Sequence, residues 1–242
     1  MELKALTKDV FYLPFNESFL RPNLFYIKGK DKGLGIDAGN SPMHRKDFFK
    51  AIENRGFPLP ETIVLTHCHW DHSCGVAGFE GQVLATEESK KCLQAYEGQV
   101  WDKKGLLERK KSKELSRYSY LFMRKEYRDK VIYPGRVDNT YTGSLEMDLG
   151  EKIVNLIEVV TPHSEKSTLV WIPEDQVLIV GDADHPDYDG YEENYEGRKT
   201  KLFLQTLEKI PFQYYCPAHL DPMDRQEARA RLEEIRGKIH EE

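Results

Sequence analysis

The chain has 242 residues, 31% of them charged, with a formal charge of −6 and aromatics at 11%. That length can bury a large core, and the aromatic content argues for a folded chain rather than disorder. The acidic balance excludes nucleic-acid binding through overall charge, and no apolar stretch approaches the length of a bilayer span, so neither a nucleic-acid nor a membrane partner is expected. Met1 to Phe15 lacks the basic segment and apolar run of a signal peptide, which predicts a cytoplasmic protein. Cys68, Cys74, Cys92 and Cys216 form no disulfide-framework pattern, so reduced thiols are expected.

Asn23 to Ala38 reads as a hairpin: Leu24 to Ile27 is strand-like, Lys28 to Gly33 is a polar turn, and Leu34 to Asp37 returns. Ser41-Pro42 opens a helix whose apolar face includes Phe48, Phe49 and Ile52, and Gly56 and Pro58 close it. Ile63 to Thr66 is a short buried strand. It runs directly into His67-Cys68-His69-Trp70-Asp71-His72. Imidazole and carboxylate suit zinc and its first-row neighbours. His67 and His69, two apart, share a face of an extended chain. Asp71 and His72 are adjacent and point different ways, as a second metal beside the first requires. Cys68 is expected to face away from the metals, and Trp70 to serve packing or a pocket wall.

Val83 to Ala85 reads as another strand, with a helix opening near Thr86 on the acidic pair Glu87-Glu88. Trp101 to Lys130 changes character: eleven Lys or Arg stand against five Asp or Glu, a local charge of +6, threaded with Trp101, Tyr118, Tyr120, Phe122 and Tyr127. One or two helices are predicted there, as a basic insertion around 101–130 beside the ligand cluster. Strands follow at Ile153–Val160, Thr168–Ile172 and Val177–Val180. A helix is predicted over Arg198–Ile210, then a brief strand at Tyr214–Cys216. Asp224 and Glu227 have the spacing of a capping box on a charged final helix. Strands then helices, twice, favour two packed sheets with helices outside.

Three more donor residues each end a strand: His163 after Val159 to Pro162, Asp182 after Val177 to Gly181, and His219 after Tyr215 to Ala218. The pattern His67-x-His69-x-Asp71-His72, with Asp37, His163, Asp182 and His219 in order, resembles the metallo-β-lactamase superfamily. The resemblance spans most of the chain and implies an α/β fold, a four-layer αβ/βα sandwich, as a single domain over 1–242. It implies His67, His69 and His163 on one metal, Asp71, His72 and His219 on a second, and Asp182 bridging. Asp37 would lie beside the site rather than ligate. Two departures stand out: Pro162 is followed at once by His163, and Ala218 rather than glycine precedes His219.

The two metals implied are zinc by default, with iron or manganese as alternatives for a carboxylate-bridged pair. The reaction implied is hydrolysis of a small-molecule ester, thioester or lactone by metal-activated water, with Asp71 as the catalytic carboxylate. Asp182 has no cysteine beside it, and His69 stands where redox relatives often carry glutamate; both steer away from antibiotic hydrolysis and oxygen chemistry. A phosphodiesterase or nuclease on the same centre, and a low-turnover metabolite-binding protein, are the alternatives. His185, three residues after Asp182, is a further candidate for contact with substrate or a ligand carboxylate, and Tyr188, Tyr191 and Tyr195 lie nearby. The basic segment suggests an anionic substrate. Nothing in the sequence sets the oligomeric state.

Overall fold

The computed structural model describes residues 2–30, 32–99, 101–186 and 195–239. The first half builds one sheet of seven strands in chain order: β1 (Lys4–Ala5), β2 (Val10–Leu13), β3 (Leu24–Lys28), β4 (Gly33–Ile36), β5 (Thr62–Val64), β6 (Gln82–Thr86) and β7 (Asn139–Tyr141). The first four pair antiparallel, whereas β4, β5, β6 and β7 run parallel, joined by crossovers that carry helices. The second sheet holds six: β8 (Ser144–Asp148), β9 (Ile153–Val159), β10 (Ser167–Ile172), β11 (Val177–Gly181), β12 (Tyr214–Pro217) and β13 (Met223–Asp224). β10 is antiparallel to both β9 and β11, and β11 is parallel to β12, so β9, β11 and β12 all point the same way.

Strand alternation assigns the layers. Phe25, Ile27, Leu34, Ile36 and Val64 of the first sheet meet Val154, Leu156, Val170, Val177 and Ile179 of the second. The opposite faces bury against helices. Leu24 and Tyr26 pack on Phe48 and Ile52 of α1 (Pro42–Glu53). Leu178, Val180 and Tyr215 are covered by Phe203, Leu204 and Leu207 of α6 (Gly197–Leu207) and by Ala228 of α7 (Arg225–Gly237). The result is the expected helix–sheet–sheet–helix sandwich.

Local sequence signals locate the helix ends. Ser41 caps α1 by accepting from the His44 amide, with Pro42 in the first turn. Thr86 caps α3 (Glu87–Gln94), and Asp224 with Glu227 forms the full capping box of α7. The basic segment forms two helices, α4 (Lys103–Lys111) and α5 (Arg117–Tyr127). Their buried Leu106, Tyr120 and Met123 pack with Trp101, Cys74 and Trp70, so the pair rests directly on the ligand-bearing segment. Glu126 of α5 anchors it: the partly buried Arg21 guanidinium holds the buried Glu126 carboxylate at 2.7 Å, and the Ser41 hydroxyl donates to the same carboxylate at 2.5 Å.

One expectation fails. Cys68 and Cys92 are joined in a disulfide, with Cα atoms 6.3 Å apart, so the thiols are not all reduced. A separation of 24 residues hid the pair, because α3 folds back over β5 and brings Cys92 to the ligand loop. Cys74 and Cys216 are free and buried. Among the described residues no helix is long and apolar enough to cross a membrane.

Candidate metal centre

The strands that share a direction end at one edge of the sandwich, and every predicted donor follows such an end. His67 to His72 come after β5, with Asp71 and His72 on the short helix α2 (Trp70–Ser73). His163 follows β9, Asp182 follows β11 and His219 follows β12. They gather into two sets, His67–His69–His163 and Asp71–His72–Asp182–His219. In each set, one donor atom per residue lies within 4.8 Å of the others.

In the first set His163 Nε2 stands 2.9 Å from His69 Nδ1 and 3.2 Å from His67 Nε2. Nitrogens around a tetrahedral cation, with bonds of 2.0–2.1 Å, stand about 3.3 Å apart, so these three face one point at near-coordination spacing. Burial, with His72 and His69 alongside, pushes the His67 pKa well below the usual imidazole range; burial and His69 push His163 down to about 3. Both rings are therefore neutral at neutral pH and offer lone pairs. His163 Nδ1 lies 3.3 Å from the Pro186 carbonyl, which accepts from it and leaves Nε2 free to ligate.

In the second set His72 Nε2 lies 3.2 Å from Asp182 Oδ2, and His219 Nε2 lies 3.0 Å from Asp71 Oδ2 and 3.4 Å from Asp182 Oδ2. Asp182 Oδ2 is also 3.7 Å from His163 Nε2, so one oxygen stands between the sets. The other, Oδ1, is buried without a hydrogen-bond partner among the described residues. An unpaired buried carboxylate oxygen is costly, and a cation would satisfy it. Burial opposes the charge on Asp182, but His219 and His72 hold its pKa well below the usual range. Burial likewise opposes charge on His72 and His219. Asp182, Asp37 and Asp71 nevertheless push His72 well above its usual range, and Asp182 and Asp71 raise His219 to about 10.

Beneath both sets lies Asp37, buried at the end of β4 and not itself in either donor set. Its Oδ2 accepts from His72 Nδ1 at 2.7 Å, and its Oδ1 accepts from the Thr66 amide at 2.7 Å. The Thr66 hydroxyl donates to Asp37 Oδ2 at 2.8 Å, and its oxygen lies 3.1 Å from His67 Nδ1. With its one proton committed to Asp37, that oxygen accepts from His67 Nδ1–H and turns the His67 Nε2 lone pair toward the first set. One carboxylate thus orients a histidine in each set. Sequence reading missed Thr66, which looks like an ordinary strand residue.

Gly181 makes room for this relay. Its φ is +59°, and a Cβ there would lie 2.7 Å from Thr66 Oγ1. Gly181→Ala is expected to cost about 1–3 kcal/mol, read as a fall in the urea midpoint; an unchanged midpoint would show that Thr66 yields freely.

Two other supports escaped the sequence. Buried Asn23 donates through Nδ2 to the Pro217 carbonyl at 2.9 Å and the Leu220 carbonyl at 2.7 Å, fixing the loop that presents His219. Arg231 Nε donates to buried Asp184 Oδ2 at 2.5 Å, tying α7 to the loop after Asp182. His185 lies outside both donor sets. Its Nδ1 is 3.2 Å from Asp184 Oδ1, and its ring centroid is 6.4 Å from that of His219, so it borders the centre. Tyr195 donates to the Asp184 carbonyl at 3.3 Å; Tyr188 and Tyr191 lie outside the described residues. Cys68 points away from the donors into its disulfide, and Trp70 packs against α4 and α5, both as expected.

Known proteins share this fold. The family model described as the metallo-beta-lactamase superfamily matches residues 19–237. The acyl-coenzyme A thioesterase MBLAC2 of Gallus gallus is 31% identical over 107 residues, covering 40% of this chain and 39% of that protein. Among solved structures, a metallo-beta-lactamase from Pontibacter korlensis superposes with a TM-score of 0.67 at 16% identity, covering 97% of this chain and 98% of that one. A stereoselective inverting sec-alkylsulfatase from Pseudomonas sp. superposes with a TM-score of 0.71 at 14% identity, covering 97% of this chain and 41% of that one.

Proposed function

The chain belongs to the metallo-beta-lactamase superfamily and is a metallo-hydrolase, and from that premise we propose that it hydrolyses small-molecule thioesters. The observation that carries the metal-dependent reading is the pair of donor sets meeting at Asp182 Oδ2. The thioester reading draws its support from the similarity to MBLAC2, which covers about two fifths of that protein. Residues 1–242 are read as one domain, with 101–130 as its insertion.

The donors fit two divalent cations: His67, His69 and His163 would hold one, Asp71, His72 and His219 the other, with Asp182 shared. Zinc suits this imidazole-rich chemistry, and elemental analysis distinguishes it from iron or manganese. Cations bound there supply a water acidified toward neutrality and a Lewis acid for the carbonyl oxygen. Asp71, 3.0 Å from His219, would orient the attacking water and take up its proton. Asp37 and Thr66 hold His72 and His67 in the tautomers that ligation needs. His185 borders the centre as a candidate contact for the substrate.

Cation uptake by the second set should be linked to protons. Raised pKa values mean that His72 and His219 carry protons at neutral pH when no cation is bound. A cation taking their Nε2 atoms must expel those protons, so affinity should rise with pH. Calorimetric titration in two buffers of different ionisation heat reads the release; identical heats in both would remove these residues from the ligand set.

Substrate class is tested on metal-verified protein with a panel of acyl thioesters, lactones and bis-para-nitrophenyl phosphate. Thioesters are expected to exceed the others by at least about tenfold in kcat/KM. A preference for the phosphodiester would replace this reading with the nuclease-type alternative.

A further inference from the structure

Exposed apolar side chains on this molecule are not evenly spread. Leu107, Tyr118, Leu121, Val131 and Tyr133, five of the nine large exposed hydrophobics among the described residues, fall within or just after α4 and α5. Leu121 and Tyr118 are each a little over half exposed, and Tyr133 is 65% exposed. The segment is also the most basic in an acidic chain.

Along α5 the two features share one face. Arg117, Leu121 and Lys125 recur at helical spacing, all exposed, with Tyr118 beside them and the exposed C-cap Arg128 just beyond. The opposite side of the helix buries Tyr120 and Met123 against Trp101 and Leu106. Beyond α5, Ile132 pairs with Trp101 and points inward, so its neighbours Val131 and Tyr133 point outward. Lys111, Lys113, Arg117, Arg128 and Lys130 form no ion pair among the described residues. Partnered cations stand beside them, such as Arg124 with Asp129 and Lys103 with Asp129.

We propose that this face docks the protein on an anionic phospholipid surface, with Leu121 and Tyr118 entering the headgroup layer while the unpaired cations meet lipid phosphates. A basic helix face with interleaved Leu and Tyr has the chemistry of an interfacial binder, and the acidic remainder of the molecule would be held away from the same surface. Single-stranded RNA would also meet the cations and would find a stacking plane at Tyr118, but it leaves the exposed aliphatic Leu107, Leu121 and Val131 without a matching partner, whereas a lipid headgroup layer takes both. Because α4 and α5 pack on Trp70 and Cys74, docking would set the segment that carries Asp71 and His72 one helix layer from the lipid. The inference revises the expectation of no membrane partner and is independent of the hydrolytic reading.

The test is co-sedimentation of the full chain with vesicles of phosphatidylcholine alone, or with about 30% phosphatidylserine, at low and high salt. Binding is expected only to the serine-containing vesicles and should weaken at least about tenfold between about 0.05 and about 0.5 M salt. Lys111→Glu with Arg117→Glu, and separately Leu121→Gln, should each reduce vesicle binding at least about tenfold, with an unchanged circular-dichroism melt and unchanged turnover of a water-soluble substrate. Absence of binding to serine-containing vesicles, equal binding to both compositions, full binding by either folded variant, or tighter binding to a poly-uridine RNA would each overturn the proposal.

Discussion

Asp182→Ala is expected to lower kcat/KM by at least about 10³-fold, or about 4 kcal/mol of transition-state stabilisation. The reason is the position of one oxygen. Asp182 Oδ2 lies 3.2 Å from His72, 3.4 Å from His219 and 3.7 Å from His163, so its removal subtracts a shared donor from both sets at once. It also removes an anion that holds the protons on His72 and His219, which leaves the buried His72 ring and the partly exposed His219 ring without their principal charge partner. Elemental analysis should find fewer than two cations per chain in the variant. Asp182→Asn keeps the shape but not the charge, and should show the same kinetic loss with a smaller loss of stability. A metal-replete Asp182→Ala protein with kinetics near wild type would sink the bridging role.

The second large effect is expected at Asp37, which lies in neither donor set. Asp37→Ala strands the Thr66 amide, the Thr66 hydroxyl and His72 Nδ1, all buried. Each unpaired buried donor costs about 1–3 kcal/mol, so the variant should be severely destabilised. Asp37→Asn is the sharper experiment. Asp37 adopts φ +61°, a left-handed conformation that asparagine tolerates well. The Asn carbonyl can still accept from Thr66, but its amide would face His72 Nδ1 and drive that ring to the opposite tautomer. The proton would then sit on Nε2, the atom that must ligate. Thermal stability should therefore largely survive while cation affinity at the second set falls about 10–100-fold, measured by competition with a chelator. Unchanged affinity in Asp37→Asn would mean that His72 does not bind through Nε2.

The seven donors were readable because they follow the ends of four short apolar strands, four of the donors in the run after β5 and one each after β9, β11 and β12, and strand ends are recognisable from composition alone. The helix ends were equally plain at Ser41, Thr86 and Asp224, where capping chemistry is local. The supports were hidden because their partners are remote. Thr66 gains its role from Asp37 twenty-nine residues earlier, and Asn23 from a carbonyl at Pro217. The Cys68–Cys92 bond and the Asp184–Arg231 pair depend on helices folding back over strands. Strands β1, β2, β7, β8 and β13 were not anticipated. Three of them have two or three residues, and their strand state comes from pairing with neighbours rather than from propensity. The basic segment was visible as charge, but which of its side chains face outward emerged only with the packing of Trp101, Tyr120 and Met123.

Neither sheet carries a complete donor set. The first contributes His67 and His69 to one and Asp71 and His72 to the other; the second contributes His163 to one and Asp182 and His219 to the other. A cation at either position would therefore act as a rivet through the sandwich. Separating the sheets would leave each half a weak, open chelator, so cation loading and the docking of the halves become one equilibrium. Cation occupancy would then report on the integrity of the whole fold, and a lesion far from the centre that loosens the inter-sheet core would first be seen as leakage of metal.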